Sequence, residues 1–518
     1  MPNIKHHLKM SNQKKIDNQV LVIFGASGDL TARKLLPEIF HLFCKGYLPE
    51  KYAILGVGRS PFSDESYRQE AVLENPHFSS VKDIDNNLKK FAALVHYVSL
   101  DTGKEAAYAG LKEKLTNILP DTLDPNIIFY LSTPPKLYIM IANSLAAHGM
   151  NLEDGGWKRV IVEKPFGYDL ATAQQLNKEL LKKFKEDQIY RIDHYLGKET
   201  VQNLMVTRFS NSIFEPLWNR NYIHRIEITA AENVGVGNRG GYYEGAGAMR
   251  DMIQNHLLQL LSLVAMEPPS HMTPNAIRNE KDKLFQSLRP MSLEDISNNV
   301  IRGQYTSTKI NDEVILGYRE EQGVSATSRT ETFAALKFYV DNWRWADVPF
   351  YIRTGKRLPT RVSEVVIHFK PNHLHLFKDM RMINAQNVLI FRIQPNEGIL
   401  LKFGLKVPGT SNMVKTVNMD FQYDDLTEDY VPDPYERLIL DCMQGDATLY
   451  ARGDSVENSW QFIDPILRAW ENDPEIPIYG YPAGTWGPEH MDTLIEGTNM
   501  VWRNPSKNLS HDGEYCEL

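Results

Sequence analysis

Four side chains with hydrogen-bonding groups lie close together in the sequence RIDHYLGKE. His194, Tyr195 and Lys198 can all donate hydrogen bonds to an anion, and Asp193 lies directly before them. A helix that begins near Lys198 would add backbone N–H groups at its N-terminus. The segment therefore predicts a phosphate-binding site. The alternative is that these residues have only a structural role. In that case Asp193 pairs with Arg191, and His194 forms hydrogen bonds only within its own loop.

A histidine on a predicted apolar helix is a second candidate. His256 lies in RDMIQNHLLQ, where Met252, Ile253 and Leu260 share its helical face. Burial on that face would lower the pKa of the imidazole unless a carboxylate compensates. By itself the pattern favours a core histidine over a proton acceptor, because periodicity indicates only burial.

A lysine at the end of a predicted strand is a third candidate. Lys164 follows the apolar run of VIVEKPFG. It can bridge a cofactor and a substrate, because ligands of open α/β sheets bind at the carboxyl ends of the strands. A surface lysine is an equally good interpretation. The cis or trans state of the bond to Pro165 cannot be read from the sequence.

Two glycines separate the first predicted strand from the next helix, in LVIFGASGDL. Gly25 and Gly28 allow the backbone to approach a pyrophosphate at the helix N-terminus. An ordinary loop remains the alternative, because the third glycine of the dinucleotide fingerprint is missing. After the second strand, GVGRS places Arg59 where an NAD enzyme has an acid. A guanidinium binds a 2′-phosphate, so the pattern favours NADP unless Arg59 is only a solvated charge.

These segments lie in two regions with different patterns. Up to about residue 197, short β-branched runs alternate with amphipathic helices, as in a doubly wound parallel sheet. Beyond it, strands follow one another with few helices, and 414–423 alternates apolar and polar residues as if one face were buried. We predict an α/β plus α+β protein in which a Rossmann-type domain precedes a domain with a large, mostly antiparallel sheet. The six predicted N-terminal strands are 20–24, 53–57, 94–100, 127–132, 160–163 and 189–192.

The composition excludes several classes of protein. The net charge of −8 argues against nucleic acid as a partner, since such domains usually have a basic excess. Three cysteines cannot form a disulfide framework, have no metal-ligand spacing and fit a reducing compartment. The apolar stretch 257–266 is too short to span a membrane. We expect a cytoplasmic protein with no membrane contact and no metal. Its predicted parts are a flexible leader (1–17), an NADP-binding domain (18–198), a substrate-binding and oligomerisation domain (199–505) and a polar tail (506–518).

Taken together, the motifs resemble the glucose-6-phosphate dehydrogenase family. The resemblance covers nearly the whole chain, and RIDHYLGKE is highly specific. It implies oxidation of β-D-glucose 6-phosphate at C1 to 6-phosphogluconolactone with reduction of NADP, the entry step of the oxidative pentose phosphate pathway. It also implies a homodimer or homotetramer formed through the large sheet. The matching motifs are GASGDLTARKLLP (25–37), EKPFG (163–167), RIDHYLGKE (191–199), GGYYEGAGAMRDMIQNHLLQLL (240–261), RTGKRLPTR (353–361), QPNEG (394–398) and YPAGTWGPEHMD (481–492).

The resemblance assigns a role to each candidate residue. It implies that His256 removes the C1 hydroxyl proton and that Asp193 orients the imidazole and stabilises its protonated form. His194, Tyr195 and Lys198 would bind the 6-phosphate, and Lys34 would lie between substrate and coenzyme. The residues implied to hold the sugar are Lys164, Glu232, Asp251, Lys356 and Arg361. The NADP site would be lined by Gly25, Ser27, Gly28, Asp29, Leu30, Arg59 and Lys164.

The sequence departs from the family pattern in two respects. Arg361 occupies a substrate position where the resemblance also allows lysine, which keeps the charge but changes the donor geometry. Some animal members bind a second, structural NADP with basic side chains, and the aligned residues here are Ala231, Val362 and Val366. None of these is basic, so a second NADP is not expected. Two other functions remain as alternatives: an oxidoreductase acting on an unphosphorylated sugar, and a nucleotide-sensing regulator without catalysis. The cationic groups from His194 to Lys198 argue against the first, and His256 together with Asp193 argues against the second.

Overall fold

The computed structural model describes residues 16–78, 84–118, 124–310, 312–371, 386–409, 414–425, 431–497 and 500–505. By its internal contacts the chain forms two compact units. The first combines Met1–Phe166, Gln174–Gly197 and Pro432–Gly453, and the second combines Gly167–Ala173, Lys198–Val431 and Asp454–Leu518. The domain boundaries drawn from the sequence stay predictions. Residues 1–15 of the leader and the whole predicted tail, 506–518, lie outside the described residues.

The first unit contains a parallel sheet of six strands. The strand order is β3-β2-β1-β4-β5-β6, and every neighbouring pair is parallel. This is the strand order of the doubly wound dinucleotide-binding fold, so the predicted fold class of this region is confirmed. The strands are β1 Gln19–Phe24, β2 Tyr52–Gly58, β3 Val95–Ser99, β4 Asn126–Leu131, β5 Lys158–Val162 and β6 Ile189–Arg191.

The central strand shows why this sheet forms. All six residues of β1 are buried, as expected for a parallel strand covered on both faces. In the register of the sheet, Val22 lies between Leu55 of β2 and Phe129 of β4. The chain order reverses between β1 and β4, and the carboxyl ends of these two strands form the topological switch point at which such folds bind ligands.

Helices cover this sheet, and one of them comes from far along the chain. Pro434–Gln444 is a helix of the first unit, although the sequence-based division assigns it to the second domain. The other helices of this unit are Leu36–Cys44, Asp64–Arg68, Ile84–Ala92, Tyr108–Ile118, Tyr138–Ala147 and most of Leu170–Leu181, with π-helical turns at Thr31–Leu35 and Gln69–Leu73.

The second unit contains a sheet of nine strands. Their order is β16-β15-β14-β13-β7-β12-β11-β8-β17, and only β7–β12 and β8–β17 are parallel pairs. The predicted large, mostly antiparallel sheet is therefore confirmed. The strands are β7 Ile223–Ala231, β8 Val300–Thr306, β11 Phe333–Phe338, β12 Phe350–Gly355, β13 Val362–Phe369, β14 Val388–Gln394, β15 Gly398–Lys406, β16 Val414–Gln422 and β17 Tyr479–Pro482, and a separate hairpin joins β9 Thr308–Ile310 to β10 Glu313–Ile315.

The predicted helix that carries His256 is present in the second unit, as the π-helical segment Met249–Leu257 followed directly by the helix Leu258–Ala265. The helix Gly240–Ala248 precedes it. The other helices are Glu199–Ser210, Pro274–Gln286, Leu293–Asn299 and Gly453–Asn472. Within the described ranges, no helix combines the length and the apolar character that a membrane crossing requires.

One face of the edge strand β16 and of its neighbour β15 is only partly buried. The sequence pattern predicts a buried face for β16, yet Met419 on that face is 61% exposed, and Leu405 of β15 is 51% exposed. Cross-strand pairs place the apolar residues of both strands on the same side of the sheet. We call this set the edge face; it consists of Ile399, Leu401, Phe403, Leu405, Val417, Met419 and Phe421.

Candidate active site

The glycine turn after β1 lies against the end of β4. Gly25 has a φ of +85°, and a Cβ at this position would lie 1.9 Å from the carbonyl oxygen of Ser132. Only glycine fits this left-handed, crowded position. The N–H groups of Gly25 and Ala26 donate to Val57 O, and Thr31 donates to Gly25 O. The turn is thus tied to the sheet at its switch point, where a pyrophosphate binds in folds of this kind.

The predicted nucleotide residues surround this turn. Ser27 and Asp29 are exposed, while Gly28 and Leu30 are partly buried at the start of the helix. Arg59 is exposed directly after β2. A Cβ on Gly58, the last residue of β2, would lie 3.5 Å from Ser27 Oγ, so the end of β2 is close to the turn. This arrangement can hold NADP, with backbone N–H groups near the pyrophosphate and a guanidinium near the 2′-phosphate.

The end of β5 carries a partly buried acid beside the predicted lysine. Lys164 is partly buried and precedes a cis peptide bond to Pro165. Oε1 of Glu163 accepts a hydrogen bond from Tyr130 Oη at 2.5 Å, and its backbone oxygen accepts one from Tyr138. Burial raises the pKa of Glu163 to about 7. Sequence reasoning missed Glu163, although it lies in the EKPFG motif that singled out its neighbour.

The loop after β6 holds the predicted anion-binding residues of the first unit. Arg191 is bound in a bidentate pair to Glu186 at 2.7 and 3.1 Å, so its guanidinium has a carboxylate partner other than Asp193. Asp193 is 3% exposed, and its Oδ1 accepts a hydrogen bond from Tyr195 N at 2.9 Å. The carboxylate therefore holds the turn on which Tyr195 lies.

An aromatic side chain from the distant helix packs on this loop. The ring of Tyr435 is parallel to that of His194, with centroids 6.4 Å apart, and the ring of Tyr195 meets His194 edge to face. Burial raises the pKa of Tyr435, so it stays a neutral phenol. Sequence reasoning missed Tyr435. Its position in the first turn of a capped helix, in DPYERL, was visible, but its contact with His194 was not.

Lys34 also contacts this distant segment. Its Nζ lies 2.8 Å from Oδ2 of Asp433, and the Lys34 side chain is 45% exposed. A second ion-pair cluster lies along the same helices, where Glu38, His41 and Glu436 bring three potential metal ligands together. Nζ of Lys45 lies 2.6 Å from Oε1 of Glu436, so this cluster already contains a positive charge. We therefore interpret this cluster as an ion-pair network that joins two helices.

In the second unit, Lys198 lies at the start of a helix. The helix Glu199–Ser210 begins directly after it, as the sequence analysis anticipated. Lys198 Nζ donates to Gln394 Oε1 at 2.5 Å. Since Gln394 is the last residue of β14, the lysine is anchored to the nine-stranded sheet. Sequence reasoning missed Gln394, although it opens the QPNEG motif.

Three predicted sugar-binding residues converge in the second unit. Lys356 is buried and bound to Glu232, and its Nζ lies 3.7 Å from Asp251 Oδ2. Lys356 and Glu232 follow the parallel strands β12 and β7, which brings them to one edge of the sheet. The ammonium also lies 5.1 Å from the centre of the Tyr243 ring. These groups offer donors and acceptors to hydroxyl groups, whereas Arg361 is exposed.

His256 lies on the π-helical segment that also carries Asp251. It is 1% exposed, and Ile253 on the same segment is fully buried. Its backbone N–H donates to the side chain of Asn255, whose amide donates in turn to Arg250 O. π-Helical segments occur frequently at functional sites. The predicted helix is therefore present, and its irregular hydrogen bonding surrounds the candidate base.

The sequence matches two family models over nearly all of its length. Residues 22–203 match the glucose-6-phosphate dehydrogenase NAD binding domain, and residues 205–503 match the C-terminal domain of the same family. The chain belongs to the glucose-6-phosphate dehydrogenase family. The resemblance found in the motifs is thereby confirmed.

Individual members of the glucose-6-phosphate dehydrogenase family agree with this assignment. The chain is 50% identical to glucose-6-phosphate 1-dehydrogenase of Treponema pallidum (strain Nichols), over 98% of this chain and 100% of that protein. It is 51% identical to the enzyme of Aggregatibacter actinomycetemcomitans, over 95% and 98%. A solved glucose-6-phosphate dehydrogenase in complex with its substrate glucose-6-phosphate matches with a TM-score of 0.86 and 34% identity, over 93% of this chain and 98% of that one.

Proposed function

We propose that this protein oxidises β-D-glucose 6-phosphate at C1 to 6-phospho-D-glucono-1,5-lactone and transfers the hydride to NADP. This is the first step of the oxidative pentose phosphate pathway. The observation that carries the proposal is the match of both family domains along 22–203 and 205–503. The cluster of the buried Lys356 with the partly buried Glu232 and Asp251 agrees with a polyhydroxylated substrate.

NADP is the proposed coenzyme, and its role is to accept the hydride from C1. The Gly25 turn lies at the switch point of the sheet, where folds of this kind bind a pyrophosphate, and the exposed Arg59 provides the charge for a 2′-phosphate. The carboxylate that would bind a ribose diol is missing from GVGRS. Repulsion between such a carboxylate and a 2′-phosphate is thereby avoided. The remaining proposed coenzyme residues are Ser27, Gly28, Asp29, Leu30 and Lys164.

His256 is the proposed base. As the hydride leaves C1, the C1 hydroxyl loses its proton to the imidazole, and the electron pair of the O–H bond forms the lactone carbonyl. We propose that Asp193 orients the imidazole and stabilises its protonated form. A neutral imidazole accepts a proton near neutral pH, and a carboxylate holds it in the required tautomer. The low exposure of His256 and Asp193 fits groups that act away from bulk water.

The remaining proposed substrate contacts form two groups, one for the charged phosphate and one for the neutral hydroxyl groups of the sugar. The 6-phosphate needs donors, which His194, Tyr195 and Lys198 supply. The hydroxyl groups of the sugar need both donors and acceptors, and mixed sets of lysine and carboxylate provide them. We assign the sugar to Lys164, Glu232, Asp251, Lys356 and Arg361, and Lys34 to the space between sugar and coenzyme.

We further propose a homodimer or homotetramer that forms through the edge face. A contiguous, partly exposed apolar surface on a soluble chain is typical of an interaction site. The most exposed member, Met419, lies on the outermost strand. A cytoplasmic location is also proposed, because the described Cys44 and Cys442 are free thiols, as in a reducing compartment.

The reaction can be tested by recording nicotinamide reduction by the purified full-length protein. Glucose 6-phosphate with NADP should give rapid reduction, while unphosphorylated glucose should give little. NAD in place of NADP should reduce kcat/KM. Binding of NADP without turnover on glucose 6-phosphate would overturn the proposal and leave a nucleotide-binding protein. Equal rates with glucose and glucose 6-phosphate would overturn the phosphate site alone.

A further inference from the structure

A sharp turn of the backbone precedes the π-helical segment that carries His256. Gly247, near the end of the helix Gly240–Ala248, has φ 65° and ψ 172°, far from helical values. The π-helical segment Met249–Leu257 begins two residues later. Asp251 and His256 both lie on this segment, so the geometry at Gly247 sets the direction in which both side chains are presented.

A single buried carboxylate fills the space at this turn. A Cβ on Gly247 would lie 2.3 Å from Oε1 of Glu331, so glycine is needed for the carboxylate to fit. Oε1 accepts a hydrogen bond from Met249 N at 3.0 Å, and the backbone oxygen of Glu331 accepts one from Ala248 N at 2.9 Å. Glu331, which is 4% exposed, therefore accepts hydrogen bonds from the two backbone N–H groups at the start of the π-helical segment, those of Ala248 and Met249.

The residue after Glu331 connects the same point to Lys356. Thr332 O accepts a hydrogen bond from Lys356 N at 2.9 Å. Tyr481 Oη donates to Lys356 O at 2.7 Å and lies 3.1 Å from Thr332 Oγ1. Thr332 N in turn donates to Gly303 O of β8. The pair 331–332 thus joins the π-helical segment to the loop that presents Lys356.

We propose that Glu331 is a positioning residue. It holds the π-helical segment in place, so that Asp251 and His256 keep their positions relative to Lys356. This inference rests on the function proposed above. Glu331 acts through the N–H groups of Ala248 and Met249 and binds no part of the substrate. Rigid support of this kind matters because a displacement of about 1 Å at a reacting group can cost about a hundredfold in rate.

The inference is tested by comparing Glu331→Ala with Glu331→Gln in the full-length protein. Glutamine keeps an oxygen that can accept from Met249 N, whereas alanine leaves this buried N–H without its partner. Glu331→Ala should lower kcat/KM for glucose 6-phosphate by about ten- to a hundredfold. Glu331→Gln should restore most of it. The KM for NADP should change little, because the glycine turn and Arg59 belong to the first unit.

A second variant and a matched control keep the test decisive. Gly247→Ala retains Glu331 but places a methyl group against its carboxylate, so it should reproduce the effect of Glu331→Ala. Glu227→Gln is the control, because Glu227 is another buried glutamate of the second unit. It lies on β7, roughly 17 Å along the strand from Glu232. It should leave the KM for glucose 6-phosphate unchanged even if it lowers stability.

Amide hydrogen exchange without ligands provides a readout that does not depend on activity. Exchange at 248–257 should be faster in Glu331→Ala and in Gly247→Ala, and close to wild type in Glu331→Gln. Unchanged exchange in this segment would overturn the inference, as would an equal loss of kcat/KM in Glu227→Gln. If the wild type itself fails to oxidise glucose 6-phosphate, the proposed function is wrong, and the exchange data still decide whether Glu331 positions the segment.

Discussion

Lys34 and Asp433 form an ion pair of 2.8 Å although 399 residues separate them in the sequence. The same carboxylate caps the helix Pro434–Gln444, since its Oδ1 accepts a hydrogen bond from Tyr435 N at 2.9 Å. Tyr435 then packs its ring against His194. Through Asp433, the distant segment is attached both to the helix after the glycine turn and to the loop that carries a proposed phosphate ligand.

Replacing Asp433 should separate its capping role from its ion pair. Asp433→Ala should lower the free energy of unfolding by about 1 kcal/mol through loss of the cap. Asp433→Asn keeps an oxygen for the cap and loses only the ion pair. It should lower the free energy of unfolding by less, because a half-exposed ion pair contributes only about 0–1 kcal/mol. Urea denaturation of both variants gives the comparison. Equal losses would show that the cap contributes nothing measurable.

Replacing His256 should remove the proposed base. His256→Asn should lower kcat by about 10²–10⁴-fold, because proton transfer from the C1 hydroxyl loses its acceptor. Steady-state kinetics with NADP and glucose 6-phosphate measure the effect. His271→Asn, which changes an exposed histidine of the same unit, is the control. A kcat near that of the wild type would contradict the assignment of His256.

Removing the guanidinium of Arg59 should change coenzyme preference. Arg59→Ala should weaken NADP binding by about 10–100-fold more than NAD binding, because only NADP carries the 2′-phosphate. Fluorescence titration with both coenzymes measures the two affinities. Lys104→Ala removes another exposed cation of the first unit and should affect both coenzymes equally. If Arg59→Ala also weakens both equally, the 2′-phosphate is recognised elsewhere.

The raised pKa of Glu163 should make stability depend on pH. Its pKa is raised to about 7 by burial, so the folded protein binds this proton more tightly than the unfolded chain does. The free energy of unfolding should therefore fall as pH rises from the ordinary carboxyl range through about 7. Glu163→Gln, which cannot ionise, should lose this contribution, so its stability relative to wild type should increase with pH.

The measurement for Glu163 is urea denaturation of wild type and variant from about pH 5 to about pH 8. Glu74→Gln removes an exposed carboxylate from the same unit and serves as the control. A constant difference between wild type and Glu163→Gln across this range would show that Glu163 has no raised pKa in the folded protein.

A charge on the edge face should disrupt the proposed oligomer. Met419→Glu should shift the protein to the monomer in analytical ultracentrifugation, because an apolar interface does not accept an unpaired carboxylate. The fold should persist, since Met419 is exposed in the single chain. Gln422→Glu adds the same charge on the opposite side of β16 and should leave the assembly intact. An unchanged oligomer in Met419→Glu would exclude the edge face as the interface.

Much of the first unit could be predicted from the sequence because its signals are local. Each of the six strands is a short run rich in β-branched or aromatic residues, and their alternation with helices is typical of a parallel sheet. The glycine turn could be placed because Gly25 and Gly28 directly follow the first of these runs. Lys164 and Asp193 could be identified as candidate site residues because they follow predicted strands, and ligands of such sheets bind at the carboxyl ends of the strands.

The contacts that join distant segments could not be predicted in this way. Periodicity shows which face of an element is buried but not which element covers it, so neither Tyr435 beside His194 nor Gln394 beside Lys198 was anticipated. The same limit applies to Glu331, whose partner Gly247 lies 84 residues earlier in the chain.

The family, the parallel sheet and most proposed ligands could be recognised from local patterns, because residue types and strand-end positions are encoded within short segments. Three features became visible only in the folded chain: Pro432–Gly453 belongs to the first unit, β7 pairs in parallel with β12, and a carboxylate supports the turn before His256. Pairing and burial between remote segments are properties of the whole folded chain, so no local pattern specifies them.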